Sequence, residues 1–559
     1  MNCLDLLLIS IPYMLLYGDI VQVDSFNLTL IHNNDIHSHF APVNVWSSPC
    51  DDKSLQSGKC FGGVARIMAE VKSIREKHKN NTLFLNAGDN FQGTVWYSLY
   101  KWRIVSHFTN LLKYDVMTVG NHEFDDGVDG YSPFLDATRL TIPTVCCNID
   151  VSNEPKLVGK IRKSIVVEVD NHKIGIIGYL TPETSFLSNP GNTIKFLDEI
   201  ECIKEEVRQL KSQGINIIIG LGHSGFVKDV EIARNVPDID VIVGGHSHTL
   251  LYSGAKPSVE EVIDKYPTII NHGSHQTLVL QAFAFGKYLG LIDIEFDGDG
   301  YVSRFEGKPI LLDNTFPEDT ELAKEVTEYN DRVKQKYGEV IGKTFVLLEG
   351  GYKCELKECN LGNLITEATV VYYMNKRPRS DTGWTDVAIC VTNSGGIRAT
   401  IDASTQDGNI TLENLITTLP FSNNMIILEM SGQFVREMLE FSVAGHDPHF
   451  KIPSGKFLQM SGLRVVYNLT KPDFQRVDKV VVRCANCTVP EYLPLDETQD
   501  YKILVPKYIA DGGDGYQMLK SKDIKRISSE VLDYEIVSQY MRETPIIYTG
   551  VDNRIEFIS

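Results

Sequence analysis

The chain has 559 residues, more than one hydrophobic core organises, so two substantial domains are expected. Its 43% hydrophobic and 23% charged residues make an ordinary globular composition, which excludes a disordered chain. A formal charge of -19 with no Lys/Arg-rich stripe argues against nucleic acid or an anionic membrane surface as partner.

The chain opens with the apolar run "LLLISIPYMLLYG". It is too short to span a bilayer and lies at the very start, so residues 1–24 are expected to be a secretory signal peptide, although Lys and Arg are missing before the run. No later run is long enough to span a bilayer, and the ending "VDNRIEFIS" lacks a lipid-anchor signal, so no membrane anchor is expected. Eleven cysteines fit an oxidising compartment. Three close pairs, Cys50 with Cys60, Cys354 with Cys359 and Cys484 with Cys487, would close short loops. Sequons at Asn27, Asn80, Asn409, Asn468 and Asn486 are glycan acceptors if the chain is secreted.

Residues 25–312 alternate apolar strand-like runs with helix-like stretches, as an α/β domain does, and several runs end in glycine followed by Asp, Asn or His. The motifs are "NNDIHSH" with Asp35 and His37, "NAGDNFQG" with Asp89, "VGNHEFDDG" with Asn121, His122 and Asp125, "GLGHSG" with His223, and "GGHSHT" with His246 and His248. Singly, each is no more than a turn or helix cap. Together, five strand ends deliver O and N donors toward one edge of a sheet, where α/β folds place their sites.

Residues 313–340 form a linker, in which Leu322, Val326, Tyr329, Val333 and Tyr337 recur at helical spacing behind Pro317. Residues 341–559 form a second α/β domain with its own strands and the turn-rich segments "NSGGIR" and "KYIADGGDGY". In the first of these, Gly395 and Gly396 permit close backbone approach and Arg398 supplies a forked cation suited to phosphate.

About seven donors exceed one ion's needs and suit two divalent ions sharing a bridging carboxylate. Mixed His, Asp and Asn ligation without thiolate suits zinc, manganese or iron better than calcium or magnesium; zinc is expected, with manganese, magnesium or calcium as alternatives. Such an ion pair acidifies water and clamps a transferring phosphoryl group, which is the chemistry of phosphate ester hydrolysis.

In this order the motifs resemble those of the calcineurin-like metallophosphatases, and the second domain narrows the resemblance to the 5'-nucleotidase family, which includes ecto-5'-nucleotidases and secreted arthropod apyrases. The resemblance implies a two-domain α/β fold: a four-layer metallophosphatase sandwich, a linker helix and a substrate-binding C-terminal domain. It implies that Asp35, His37 and bridging Asp89 hold one ion, with His248 where relatives carry an amide, and that Asp89, Asn121, His223 and His246 hold the other. His122, paired with Asp125, is then catalytic. Asn393, Arg398, Phe421, Tyr508 and Asp514 contact a nucleotide: the two aromatics sandwich the base and Asp514 meets the ribose. The implied activity is a secreted phosphohydrolase taking AMP to adenosine, the alternative being an apyrase acting on ATP and ADP. The oligomeric state is left open between monomer and homodimer. Three departures stand out. Glu355 occupies the place of an arginine, with Lys357 nearby; Asp511 replaces an asparagine; and Thr366 replaces a cysteine, leaving Cys390 unpaired.

Overall fold

The computed structural model describes residues 25–376, 383–446, 453–527 and 531–558; the expected signal peptide lies outside them. Alternation along the N-terminal strands builds the first domain. In Phe26–Asn33, Leu28 and Leu30 point to one face and Ile31 to the other; in Ile217–His223, Ile217, Ile219 and Leu221 point one way and Ile218 the other. The shared faces meet in a core between two sheets. One sheet runs Val302–Gly307, Tyr288–Phe296, Phe26–Asn33, Thr82–Asn86, Val116–Thr118, Thr144–Val145, Ile161–Arg162. The other runs Thr268–Asn271, Gln276–Leu280, Val241–Val243, Ile217–His223, His172–Leu180, Ser164–Val169.

The opposite faces are covered by helices. Val64–His78, Trp102–Leu112 and Gly127–Thr138 pack on the first sheet, and Glu199–Ser212 and Phe226–Asn235 on the second. The result is four layers: helices, sheet, sheet, helices. Both sheets are parallel at their centres, which turns five strand C-termini toward the same end of the sandwich. The expectation of a single sheet edge is thereby refined: three of the loops leave the first sheet and two the second.

The helix Thr320–Tyr337 forms as its spacing predicts, with the Asp319 side chain accepting from Leu322 N. Leu322, Val326 and Val333 are buried in a cluster that also takes in Ile416 of the second domain. The second domain centres on the mixed sheet Leu458–Ser461, Ile389–Asn393, Asp500–Pro506, Met425–Ser431, Lys525–Ile527. Helices Asn360–Lys376 and Asp533–Glu543 cover one face. Helix Gly432–Ser442 and a four-stranded sheet cover the other. All three cysteine pairs are bridged as expected, and Cys390 is unpaired. Among the described residues no helix is long and apolar enough to cross a membrane.

Candidate metal centre and substrate cleft

The loops that carry the donors are tightly wound. Asp35, His37, Asp89, His246 and His248 all have positive φ, between 46° and 76°, a region that costs energy for residues with a Cβ and that concentrates at functional sites. The glycines beside them leave room for this winding. A Cβ on Gly245 would lie 2.7 Å from the Ala87 carbonyl oxygen and 2.8 Å from His223 Nδ1, and one on Gly120 would collide with Asp89 Oδ1.

The donors converge. Asp89 Oδ2 lies 3.0 Å from His223 Nε2 and 3.6 Å from His37 Nε2. Asp35 Oδ1 is 3.3 Å from His248 Nε2 and 3.8 Å from both His37 Nε2 and His223 Nε2. His37 Nε2 and His248 Nε2 are 3.1 Å apart, and Asn121 Oδ1 is 2.9 Å from His246 Nδ1. Asp35, His37 and His248 form one ion-sized group and Asp89, His223 and His246 a second, while His37 and Asp89 also group with His122. Asp89, the expected bridging ligand, sits between the histidines of both groups.

These side chains fit two cations. His223 is fully buried and its Nδ1 pairs with the Ala87 carbonyl at 2.6 Å, whereas its Nε2 has no hydrogen-bond partner. A buried, orphaned ring nitrogen facing two carboxylates is what a ligand nitrogen requires. Burial, with the positive Arg398 nearby, holds His37 well below the usual histidine range, and burial with His223 brings His246 down to about 3, so both rings offer the neutral form that binds metal. Burial alone would raise the two carboxyls, but His248 and His223 keep Asp35 below its ordinary range and His223 and His122 keep Asp89 well below. Burial would lower His223 too, yet Asp89 and Asp35 outweigh it and raise the ring to about 10. Two buried anions thus draw positive charge to the space between these rings.

His122 stands at the centre's rim, its Nδ1 2.8 Å from Asp125 Oδ2. Burial opposes its charging, but Asp125 and Asp89 prevail and raise its pKa. One residue inside the same motif carries a role that sequence reasoning left unassigned. Glu123, 1% exposed, accepts the backbone N–H groups of Asp89 (3.0 Å), Gly120 (2.6 Å), Asn90 (2.8 Å) and Phe91 (3.3 Å), tying two donor loops together. Its acidity inside "GNHEFDDG" was the available signal. Asn34 similarly donates to Asp35 Oδ2 at 2.7 Å.

The second domain closes onto this centre. Arg398 Nη2 is 3.2 Å from His37 Nε2, and its guanidinium lies over the Phe421 ring, 5.8 Å from the centroid. Phe421 in turn stacks on His122 at 5.6 Å. Asn393 Nδ2 and the Tyr508 hydroxyl donate to the two oxygens of Asp514, each at 2.7 Å, and Tyr508 also reaches the Leu187 carbonyl of the first domain. The expected metal ligands and Arg398, Phe421, Asn393, Tyr508 and Asp514 are therefore linked by contacts across the meeting of the two domains. Of the departures, Glu355 feels the charges of Arg398, His248 and Asp514, and burial raises its carboxyl. Lys357 is exposed. Asp511 pairs with Arg526 at 2.9 Å and with Lys507, which offsets its extra charge.

Comparison with known proteins matches both halves. Residues 28–250 fit the family model for calcineurin-like phosphoesterases, and residues 340–521 that for the 5'-nucleotidase C-terminal domain. Protein 5NUC of Lutzomyia longipalpis is 40% identical over 98% of this chain and 96% of its own length. The snake venom 5'-nucleotidase of Naja atra is 40% identical over 95% of this chain and 99% of its own, and the 5'-nucleotidase of Homo sapiens 40% identical over 95% and 91%. Among solved structures, the 5'-nucleotidase precursor from Thermus thermophilus superposes with a TM-score of 0.85, at 35% identity over 95% of this chain and 99% of that one.

Proposed function

Since the chain belongs to the 5'-nucleotidase family, we propose that it is a nucleotide phosphohydrolase that cleaves the 5'-phosphate ester of nucleoside monophosphates, taking AMP to adenosine and phosphate. The observation that carries this reading is the single cleft in which the Asp35–Asp89 donor cluster, the His122–Asp125 pair and Arg398 all converge.

The family implies two divalent ions, and the donor set favours zinc. Asp35, His37, Asp89 and His248 would hold one, and Asp89, Asn121, His223 and His246 the other. Two ions held by these residues would supply neutralisation of phosphoryl oxygens and acidification of water. Arg398 grips the phosphate by charge-assisted hydrogen bonds. Asp125 accepts a hydrogen bond from His122 Nδ1–H and, with Asp89, favours the charged ring, in which Nε2 also carries a proton for the departing ester oxygen. Phe421 and Tyr508 offer the base two aromatic faces, while Asn393 and Asp514 offer a hydrogen-bonding pair for the ribose. Cleft walls from both domains point to opening and closure about the segment around the helix Thr320–Tyr337. Three short disulfides and the N-terminal apolar run support secretion.

Apyrase action is the competing reading, left open by Glu355, an acid near Arg398 and His248 at a place where the family resemblance implies an arginine. Phosphate release from AMP, ADP and ATP, measured side by side with and without chelator, separates the two. Fast chelator-sensitive release from AMP alone supports the 5'-nucleotidase assignment; ATP and ADP consumed with AMP accumulating would assign the apyrase instead.

A further inference from the structure

A sixth strand end reaches the donor cluster. The strand Gln276–Leu280 runs parallel to Val241–Val243, so both end at the same edge, and its continuation, residues 281–285, is bonded along the loop "GGHSHT". The Gly244 N–H donates to the Leu280 carbonyl at 2.9 Å and the Phe283 N–H to the Thr249 carbonyl at 3.0 Å. Between these two bonds lies Gln281, fully buried, whose amide meets the loop at three points. Its Oε1 accepts the Thr249 N–H and, at 3.1 Å, the Ser247 hydroxyl; its Nε2 donates to the Gly245 carbonyl at 3.1 Å. A backbone N–H on one side and a carbonyl on the other leave one orientation for the amide. Ser247 Oγ also accepts the Phe226 N–H at 3.0 Å and pairs with Thr249 Oγ1 at 2.8 Å. The loop thus alternates: Gly245, Ser247 and Thr249 bond to Gln281, while His246 and His248 join the Asp35 and Asp89 groups. The same segment holds the first donor loop. The Ala282 N–H donates to Asn34 Oδ1 at 3.1 Å, Asn34 Nδ2 donates to the Phe283 carbonyl, and the Phe285 N–H donates to the Asp35 carbonyl at 2.7 Å. The Phe285 ring lies edge-on to His248, with centroids 5.2 Å apart.

We propose that Gln281 is a positioning residue of the metal centre: its one amide aims His246 and His248 at different ions by fixing the three residues that flank them. The inference rests on the two-ion reading above and adds to it a residue whose amide is engaged by the loop. His246 and His248 have φ of 76° and 49°, a conformation that a residue with a Cβ keeps only where its surroundings impose it. Gln281 imposes it from both sides of each histidine, through Gly245 and Ser247 around His246 and through Ser247 and Thr249 around His248. Replacing the amide by an apolar side chain of similar volume leaves the Thr249 N–H buried without its partner. The loop then relaxes and both imidazoles lose their aim. Loss of such an outer contact weakens metal binding by about 10- to 100-fold.

The test uses the full-length protein, stripped of metal and titrated with zinc in competition with a chromophoric chelator, with AMP hydrolysis followed on the same preparations. Wild type should take up two ions per chain. Gln281→Met should bind them about 10- to 100-fold more weakly and, loaded with cobalt instead, should show altered visible absorption bands, because the histidines around the ions have moved; circular dichroism of the metal-free form reports that the chain is folded. Ser247→Ala removes one of the three contacts and keeps Gln281, so it should show a smaller loss of affinity, and it carries the test should Gln281→Met fold poorly. A merely structural role would lower the thermal midpoint of the metal-free protein and leave the zinc affinity and cobalt spectrum of the folded protein at their wild-type values. That result would overturn the proposal. Wild type that binds both ions yet releases no phosphate from AMP would refute the AMP assignment alone.

Discussion

A histidine that binds metal and one that moves a proton have the same side chain, so what distinguishes them is what each ring nitrogen faces. His223 has Nδ1 committed to the Ala87 carbonyl and an orphaned Nε2 aimed at Asp35 and Asp89. His122, one residue beyond Asn121, instead pairs Nδ1 with Asp125 and presents its ring to Phe421. That contrast fits ligand and proton holder, respectively. His122→Ala should therefore lower AMP turnover by roughly two to four orders of magnitude while bound metal, measured by elemental analysis, stays near the wild-type level. Loss of metal together with activity would place His122 among the ligands, and unchanged turnover would remove it from the chemistry. The motif's resemblance to the family grouped His122 with Asp125, and the structure pairs them. The resemblance did not reveal Glu123, because four backbone amides from two loops meet on that carboxylate only after folding.

At the scale of elements, strands and helices follow the hydrophobic period closely, and the cost appears where an element starts under cover. Asp533 opens the helix Asp533–Glu543, a position where the helix dipole favours an anion. It is only 7% exposed, however, and burial pushes its carboxyl up to about 7 despite the hydrogen bond from Tyr534 N. The sign of the linkage follows. Between pH about 4 and 7 the unfolded chain has released this proton and the folded chain keeps it, so the unfolded state binds fewer protons and stability falls as pH rises, by up to about 1.4 kcal/mol per unit. Asp533→Asn removes that contribution. The variant's thermal midpoint, followed from pH 4 to 8, should gain on wild type through this window and hold the gain above it; parallel curves would show that the carboxyl is not perturbed. Such a shift is invisible to sequence, where Asp at a helix start is the ordinary favourable choice.

For the whole molecule, the proposed chemistry requires two domains to meet. Arg398 crosses from the second domain to within 3.2 Å of His37, Trp46 Nε1 donates to Asp402 at 3.2 Å, and Thr405 donates to Asp51 at 2.6 Å. The last two contacts tie the two domains together, whereas Arg398 brings a cation beside the donor cluster. Arg398→Ala should lower kcat/KM for AMP by roughly 10- to 150-fold, the worth of a charged hydrogen bond of about 1.5 to 3 kcal/mol, with metal content preserved. Unaltered kcat/KM would mean that the phosphate is held from the first domain alone.

The order of the motifs, the three disulfides, the α/β class and the linker helix were all decided by sequence, because each rests on residues close together in the chain: an alternating strand, a glycine after it, a helical stripe, two cysteines a few residues apart. Tertiary structure alone decided that the donor loops leave two stacked sheets, that Glu123 binds two of those loops, that Asp511 is offset by Arg526 and Lys507, and that the neighbours Cys146 and Cys147 enter different cores. The physical reason is common to all of these. Each depends on which groups burial brings within a few ångströms of one another, and that distance is set by packing between elements far apart in the chain.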